Sequence, residues 1–109
     1  MTRDLITGAL TVDFPRWTYV CEMPDIATTT TSRGYARFHI TAGDPLSAET
    51  VCEYHVTLKR PEVEAAHHSL TRMTCDASHF HLETALQVDE DGREIFTRHW
   101  TRDIPRDFI

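Results

Sequence analysis

The stretch that decides the fold lies near the C-terminus, and it reads His79-Phe80-His81-Leu82-Glu83-Thr84-Ala85-Leu86-Gln87-Val88-Asp89-Glu90-Asp91-Gly92-Arg93-Glu94-Ile95-Phe96-Thr97-Arg98-His99-Trp100. In its first half, apolar side chains fall on alternate positions: Phe80, Leu82, Leu86 and Val88. Such alternation is typical of a β-strand with one apolar face. Asp91-Gly92 follows, a dipeptide that favours a two-residue hairpin turn. The stretch therefore predicts a long antiparallel hairpin.

Centring the turn on Asp91-Gly92 predicts which residues of the two strands lie opposite each other. The predicted pairs are Leu82 with Trp100, Leu86 with Phe96, Thr84 with Arg98 and Glu83 with His99. Aromatic and aliphatic side chains then share one face, where burial of each large one stabilises the fold by roughly 1.5–3 kcal/mol. Arg98 is the misfit on that face, so we expect it to reach water at the sheet end or to be turned outward by a bulge.

Two more long strands are predicted before this hairpin. Residues 50–59 alternate cleanly, with Tyr54 on the apolar side and Glu53 and His55 on the other. Residues 63–75 alternate poorly, and helix is the competing interpretation of residues 62–70 because several are good helix formers. Strand is favoured, since the flanking strands need a partner.

The N-terminal half predicts shorter β elements. A hairpin is expected over residues 4–13 with its reversal at Thr7-Gly8, and strands over residues 17–21 and 35–40. Residues 23–32, with a proline and four threonines, predict an exposed flexible loop, with a polar edge strand as the alternative. The chain as a whole predicts one all-β domain over residues 1–109, an antiparallel sandwich or partly closed barrel built on a meander of long strands.

Composition limits the classes of partner and compartment. The net charge is −6, and lysine and arginine are scattered, which argues against nucleic acid or an anionic membrane as the main partner. Cys21, Cys52 and Cys75 form an odd set without a Cys-x-x-Cys spacing, so free thiols are expected in place of disulfides or a thiolate zinc site. The first residues lack a signal-peptide core, and a cytoplasmic location is predicted.

The other face of the predicted sheet collects polar side chains: Glu53, His55, His67, His79, His81, Glu83 and His99. Opposed residues on neighbouring strands are about 5 Å apart, so Glu83 and His99 are expected in contact. His81 would complete with them a ligand set that first-row metals accept. The simpler interpretation is a hydrogen-bonded face in which Glu83 holds one tautomer of His99, without a cofactor. His55 and His67 form a separate predicted pair.

Hydrolase and nucleotide-binding motifs are absent, but several segments carry a family resemblance. They are Arg3-Asp4-Leu5-Ile6-Thr7-Gly8, Thr11-Val12, Asp44-Pro45-Leu46-Ser47-Ala48-Glu49, Asp76-Ala77-Ser78-His79-Phe80-His81-Leu82-Glu83, Phe96-Thr97-Arg98-His99-Trp100 and Ile104-Pro105-Arg106-Asp107. Together they resemble the C-terminal β region of the CocE/NonD hydrolases, in the X-Pro dipeptidyl-peptidase (peptidase S15) group. That resemblance implies an all-β module without the family's separate catalytic α/β-hydrolase domain, and so without its activity.

The leading functional prediction is a stand-alone, non-catalytic β module for binding or protein interaction. Its expected binding residues are His81, Glu83, His99 and Trp100. Open sheet edges invite pairing, so a homodimer is expected. A separate hydrolase or biosynthetic chain, or a small apolar ligand, are the other partners considered.

The alternative is a small β-barrel enzyme of a biosynthetic pathway, such as a cyclase, isomerase or dehydratase. Such an enzyme needs an apolar pocket with one or two acid–base groups, which Glu83, His99 and Tyr54 would supply. A closed barrel with a void lined by Tyr54, Phe80 and Trp100 would favour the enzyme, and a filled core the module.

Overall fold

The computed structural model describes residues 1–107 and shows seven antiparallel strands in a single sheet. The strands are β1 (Thr2–Arg3), β2 (Ala9–Met23), β3 (Thr28–Thr41), β4 (Asp44–Lys59), β5 (Glu64–Cys75), β6 (His79–Glu90) and β7 (Arg93–Pro105). Each strand pairs with its neighbours in chain order, so the sheet is a meander. The predicted all-β antiparallel class is confirmed, and the sheet is not closed. Residues 108 and 109 of the predicted domain lie outside the described part.

Two predicted chain reversals are confirmed by the backbone angles. Gly8 has a φ of 75° between β1 and β2, a conformation that glycine adopts at little cost. Asp91 and Gly92, with φ of 52° and 79°, form the two-residue turn between Glu90 and Arg93. Positive φ at both central residues matches the right-handed twist of the flanking strands, which explains why Asp-Gly is suited to this position.

The segment for which helix and strand were both considered is a strand from Glu64 onward, as part of β5. From residue 65 to residue 73 it pairs with β4 on one side and β6 on the other. Because both neighbours hydrogen-bond to its backbone, tertiary context overrides the helix propensity of its first residues.

The segment 23–32 is largely strand, and the prediction of a loop is wrong for its second half. Pro24–Ile26 forms one turn of 3-10 helix, and β3 begins at Thr28. The four threonines pair with β2, and three of them also with β4. Thr28 is only 5% exposed, and its hydroxyl donates to the carbonyl of Ile26. Threonine is β-branched and fits a pleated strand well, even in a run without apolar alternation.

Among residues 1–107, no helix has the length and apolar character needed to cross a membrane.

Cross-strand pairing sorts the side chains onto two faces, because directly opposed residues point the same way. One row across the sheet consists of Trp17, Gly34, Tyr54, Ser69, Leu86 and Arg98. The side to which this row points is called the apolar face. Its large apolar side chains are Leu10, Val12, Phe14, Trp17, Tyr19, Met23, Phe38, Ile40, Tyr54, Val56, Leu58, Met73, Phe80, Leu82, Leu86, Val88, Phe96, Trp100 and Ile104. The opposite side is called the polar face.

The apolar face is uncovered. Within residues 1–107 no hydrophobic side chain is buried, and Tyr54, Trp17 and Trp100 remain 48%, 44% and 41% exposed. Stable domains normally bury such a face against a second layer. Residues 1–107 form one layer with extents of 54 × 29 × 24 Å, so the sheet is strongly twisted, and the place where a core belongs is open surface.

The register of β6 against β7 differs from the prediction by two residues. The observed opposite pairs include Leu82 with Arg102, Glu83 with Thr101, Thr84 with Trp100, Leu86 with Arg98 and Val88 with Phe96. Asp89 pairs with Glu94, so Ile95 is an extra residue on β7 and forms a bulge. A shift of two keeps side-chain parity, and therefore the assignment of this hairpin's residues to the two faces survives.

Candidate functional site

The predicted contact between Glu83 and His99 is present on the polar face. His99 Nε2 lies 2.8 Å from Glu83 Oε1. His99 stands opposite Ala85, so the contact runs diagonally across the two strands. Both side chains are more than half exposed, and an ion pair in such a setting contributes little to stability.

His81 is bound on both sides by carboxylates and takes no part in that pair. Its Nδ1 lies 2.6 Å from Asp103 Oδ1 on β7, and its Nε2 lies 2.8 Å from Asp76 Oδ2 in the β5–β6 turn. A neutral imidazole has one N–H, so only the imidazolium donates to both carboxylates. These two bonds, that to Asp103 first, raise the pKa of His81.

Asp76 organises the turn that leads into β6. Its Oδ1 accepts hydrogen bonds from the backbone N–H of Ser78 and of His79, at 2.8 Å and 2.7 Å. The bond from the Ser78 N–H, the bond from His81 and the bond from the His79 N–H together lower the pKa of Asp76. The carboxylate is thus held ionised and positions the His81 ring.

A second histidine pair lies further along the polar face, and it differs from the predicted one. His55 stands opposite His68, with ring centroids 5.8 Å apart, while His67 stands opposite Val56 on the apolar face. The prediction of a His55–His67 pair is therefore wrong. The poor alternation of β5 left its parity ambiguous, and the pairing with β4 sets it.

Hydrogen bonds fix the protonation pattern around His55. Arg33 Nη2 donates to His55 Nδ1 at 2.6 Å, so the proton of a neutral His55 sits on Nε2. Burial, followed by the positive charge of Arg33, lowers the pKa of His55. His68 Nε2 lies 3.0 Å from Glu53 Oε1.

The acid–base set of the enzyme alternative is not brought together. Tyr54 points to the apolar face and lies edge-on to Trp17, at 6.2 Å between centroids. Glu83 and His99 point to the polar face, on the other side of the sheet. Tyr54, Phe80 and Trp100 therefore stand on an open face and do not surround an enclosed void.

The expected binding group is also divided between the faces. Trp100 points to the apolar face, where the Arg98 guanidinium lies 5.0 Å from its ring centroid. Arg98 stays on the apolar face and is not turned outward by the bulge, but it lies exposed on the edge strand β7, where a cation–π contact also accommodates it. His81, Glu83 and His99 lie on the polar face. Within residues 1–107, no group of three or more His, Cys, Asp or Glu side chains has an arrangement suited to a metal ion.

A concavity of about 480 Å³ opens where β2 bulges, and no sequence motif had indicated it. Pro15 and Arg16 together face Tyr35 there. The Trp17 ring lies directly over Gly34, where any Cβ would collide with it. The lining is mixed in charge, with Arg16, Arg33, Glu53 and Asp89. Pro15, which lies inside a strand, is the residue that could have signalled the bulge.

The most extensive feature among the described residues is thus the apolar face, and the polar face offers exposed histidine–carboxylate pairs. A scan against models of known protein families, a search of curated proteins and a search of solved structures each found no match to the chain.

Proposed function

We propose that this chain is a non-catalytic β module that acts by binding a protein through its apolar face. One observation carries the proposal: large apolar side chains share one face of the sheet, and within residues 1–107 none of them is buried. A sheet that has no second layer among residues 1–107 gains most by placing this face against another surface.

The area of the apolar face can be compared with the apolar patches found on typical monomers. The six long strands, at about 3.3 Å per residue and about 4.8 Å between neighbours, give each face of the sheet an area of roughly 1,300 Å². The largest apolar patch on a typical monomer is roughly 300–600 Å². Full burial of each large side chain stabilises by roughly 1.5–3 kcal/mol, so a partner that covers several of them contributes as much as a whole domain's net stability.

The family resemblance adds a class of partner. As a module like the C-terminal β region of the CocE/NonD hydrolases, the chain would act in the cytoplasm, on its own copies or on a separate hydrolase or biosynthetic chain. Of the four expected binding residues, Trp100 belongs to the apolar face and takes part in this contact. Glu83 and His99 are exposed on the outer, polar face, where His81 is held by its two aspartates.

Charge placed on one face or the other tests the proposal. Tyr54→Lys and Met73→Lys put a lysine on the apolar face, at side chains that are 48% and 39% exposed. Leu70→Lys is the matched control, because Leu70 is 41% exposed and points to the polar face beside Glu53. The readouts are far-ultraviolet circular dichroism for folding, the mass in solution, and binding of the apolar dye ANS.

The folded wild type is expected either to exceed its monomer mass of 12.6 kDa or to bind ANS. The two apolar-face lysines are expected to reduce whichever property is found, and Leu70→Lys to leave it unchanged. A folded monomer that does not bind ANS would refute the proposal.

A further inference from the structure

We infer that the occupant of the apolar face is a second copy of this chain, docked face to face to form a two-fold-symmetric β-sandwich. The inference rests on the proposed function, since it names the partner of the same surface.

Charge is absent from the centre of the apolar face. On β2, β3 and β5 no residue that points to this face is Asp, Glu, Lys or Arg, and none is between Thr50 and Leu58 on β4. Three arginines do point to it, Arg93, Arg98 and Arg102, and all three lie on β7, at the edge of the sheet. An uncharged centre with a charged rim is the pattern of protein interfaces, and homodimers are the most apolar of them.

The dimensions fit a homodimer. Each copy offers roughly 1,300 Å², so two faces in contact bury roughly 2,600 Å² in total, within the range of about 2,000–5,000 Å² for obligate dimers. Because the second copy is the same chain, its apolar face has the same length and width. Two sheets packed in this way enclose the apolar side chains in a layer about 10 Å thick, as in other sandwiches.

The sheet edges, where pairing was first expected, are poorly suited to it. On β2 the bulge between Phe14 and Trp17 contains Pro15, which has no N–H to donate to a new strand. On β7 the bulge at Ile95 breaks the edge, and charged side chains follow it: Arg98, His99, Arg102 and Asp103. Natural edge strands use these features to prevent pairing. The face, not the edge, is therefore the surface for the second copy.

The distribution of charge also favours docking of the two copies through their apolar faces. The chain carries a net charge of −6 and 17 acidic residues. Among the acidic residues of β2, β3, β5 and β6, only Glu90 points to the apolar face. Glu90 is the last residue of β6. Face-to-face docking turns the acidic polar faces outward, so the two sheets separate the like charges of the two copies.

The experiment is the mass of the folded wild type by light scattering over a dilution series, together with Tyr54→Lys and Leu70→Lys. We expect a mass of two chains for the wild type and for Leu70→Lys. We expect Tyr54→Lys to weaken the dimer by about 100-fold or more, because a lysine at the centre of the interface is buried without a partner.

The possible results distinguish the second copy as occupant from the proposed function itself. A folded wild-type monomer that binds ANS through the apolar face would overturn the second copy as occupant while leaving the proposed function standing. A folded monomer without ANS binding would overturn both. A wild-type dimer that Leu70→Lys weakens as much as Tyr54→Lys would show that the copies meet elsewhere. If Tyr54→Lys fails to fold, Met73→Lys replaces it, and the wild-type mass alone still decides between monomer and dimer.

Discussion

His81 Nδ1 lies 2.6 Å from Asp103 Oδ1 across the last hairpin, and this contact ties β6 to the edge strand β7. The other ring nitrogen binds Asp76, so the contact holds its full hydrogen bonding only when His81 is protonated. Because the pKa of His81 is raised, the stabilisation is fully present below the unfolded value of about 6.5 and is lost as the pH rises through the folded value.

The first prediction concerns this pH dependence. The pKa of Asp76 is lowered, so its contribution is present above about pH 4 and is lost only when the pH falls through its lower folded value. We expect the wild type to melt above His81→Gln by a wider margin at about pH 5.5 than at about pH 9. His99→Gln is the control, since it removes a polar-face histidine that contacts Glu83 and neither Asp76 nor Asp103. An equal margin at the two pH values would contradict the protonated double contact.

The second prediction concerns the close approach of Trp17 to Gly34. A Cβ at residue 34 collides with the indole ring, so Gly34→Ala must push Trp17 away from the sheet and from Tyr54. We expect a loss of about 1–3 kcal/mol in the free energy of unfolding, measured by urea denaturation at one protein concentration. In a Trp17→Ala background the same change is expected to cost little. A full loss in that background would place the cause elsewhere.

The third prediction concerns the turn between β6 and β7. Gly92 has a φ of 79°, and no atom lies within 4 Å of the place where a Cβ would stand. Gly92→Ala is therefore expected to cost about 1 kcal/mol through backbone strain alone. Gly92→Asn, which tolerates this conformation better, is expected to cost less. Equal losses for the two variants in urea denaturation would show that strain at this φ is not the cause.

The fourth prediction concerns metal ions. His81 is engaged by two aspartates, which leaves Glu83 and His99 as an exposed pair and not a three-ligand set. We expect equimolar Zn²⁺ to leave the melting temperature unchanged, because two exposed ligands do not form the four-coordinate shell of a stable site. A rise in melting temperature that disappears in His99→Gln would contradict this expectation.

Local patterns predicted the parts of the fold that depend on neighbouring residues in the chain. The alternation around Tyr54 indicates a half-exposed strand because side chains on a strand repeat every two residues. Asp91-Gly92 indicates a tight turn because both positions need a positive φ. Both features act within a few residues, so one sequence is enough to read them.

The errors arose where distant strands decide the outcome. The two-residue turn accounts for one residue of the register difference between β6 and β7, and the bulge at Ile95 adds the other. Nothing in the residues around Ile95 distinguishes a bulge from a regular strand. His67 and His68 exchange faces because β5 takes its parity from β4. The uncovered apolar face itself was not predicted, since alternation shows that a face is apolar but not what covers it.

The alkylation rate of Cys52 tests most directly whether a second copy covers the apolar face. Cys52 lies on the central strand β4, opposite Ala36 and Thr71, and it points to that face. Iodoacetamide labelling followed by mass spectrometry is expected to be at least roughly ten-fold slower in concentrated wild type than in folded Tyr54→Lys, and to accelerate on dilution as dimers dissociate. Equally fast labelling of folded wild type and Tyr54→Lys at every concentration would contradict the dimer.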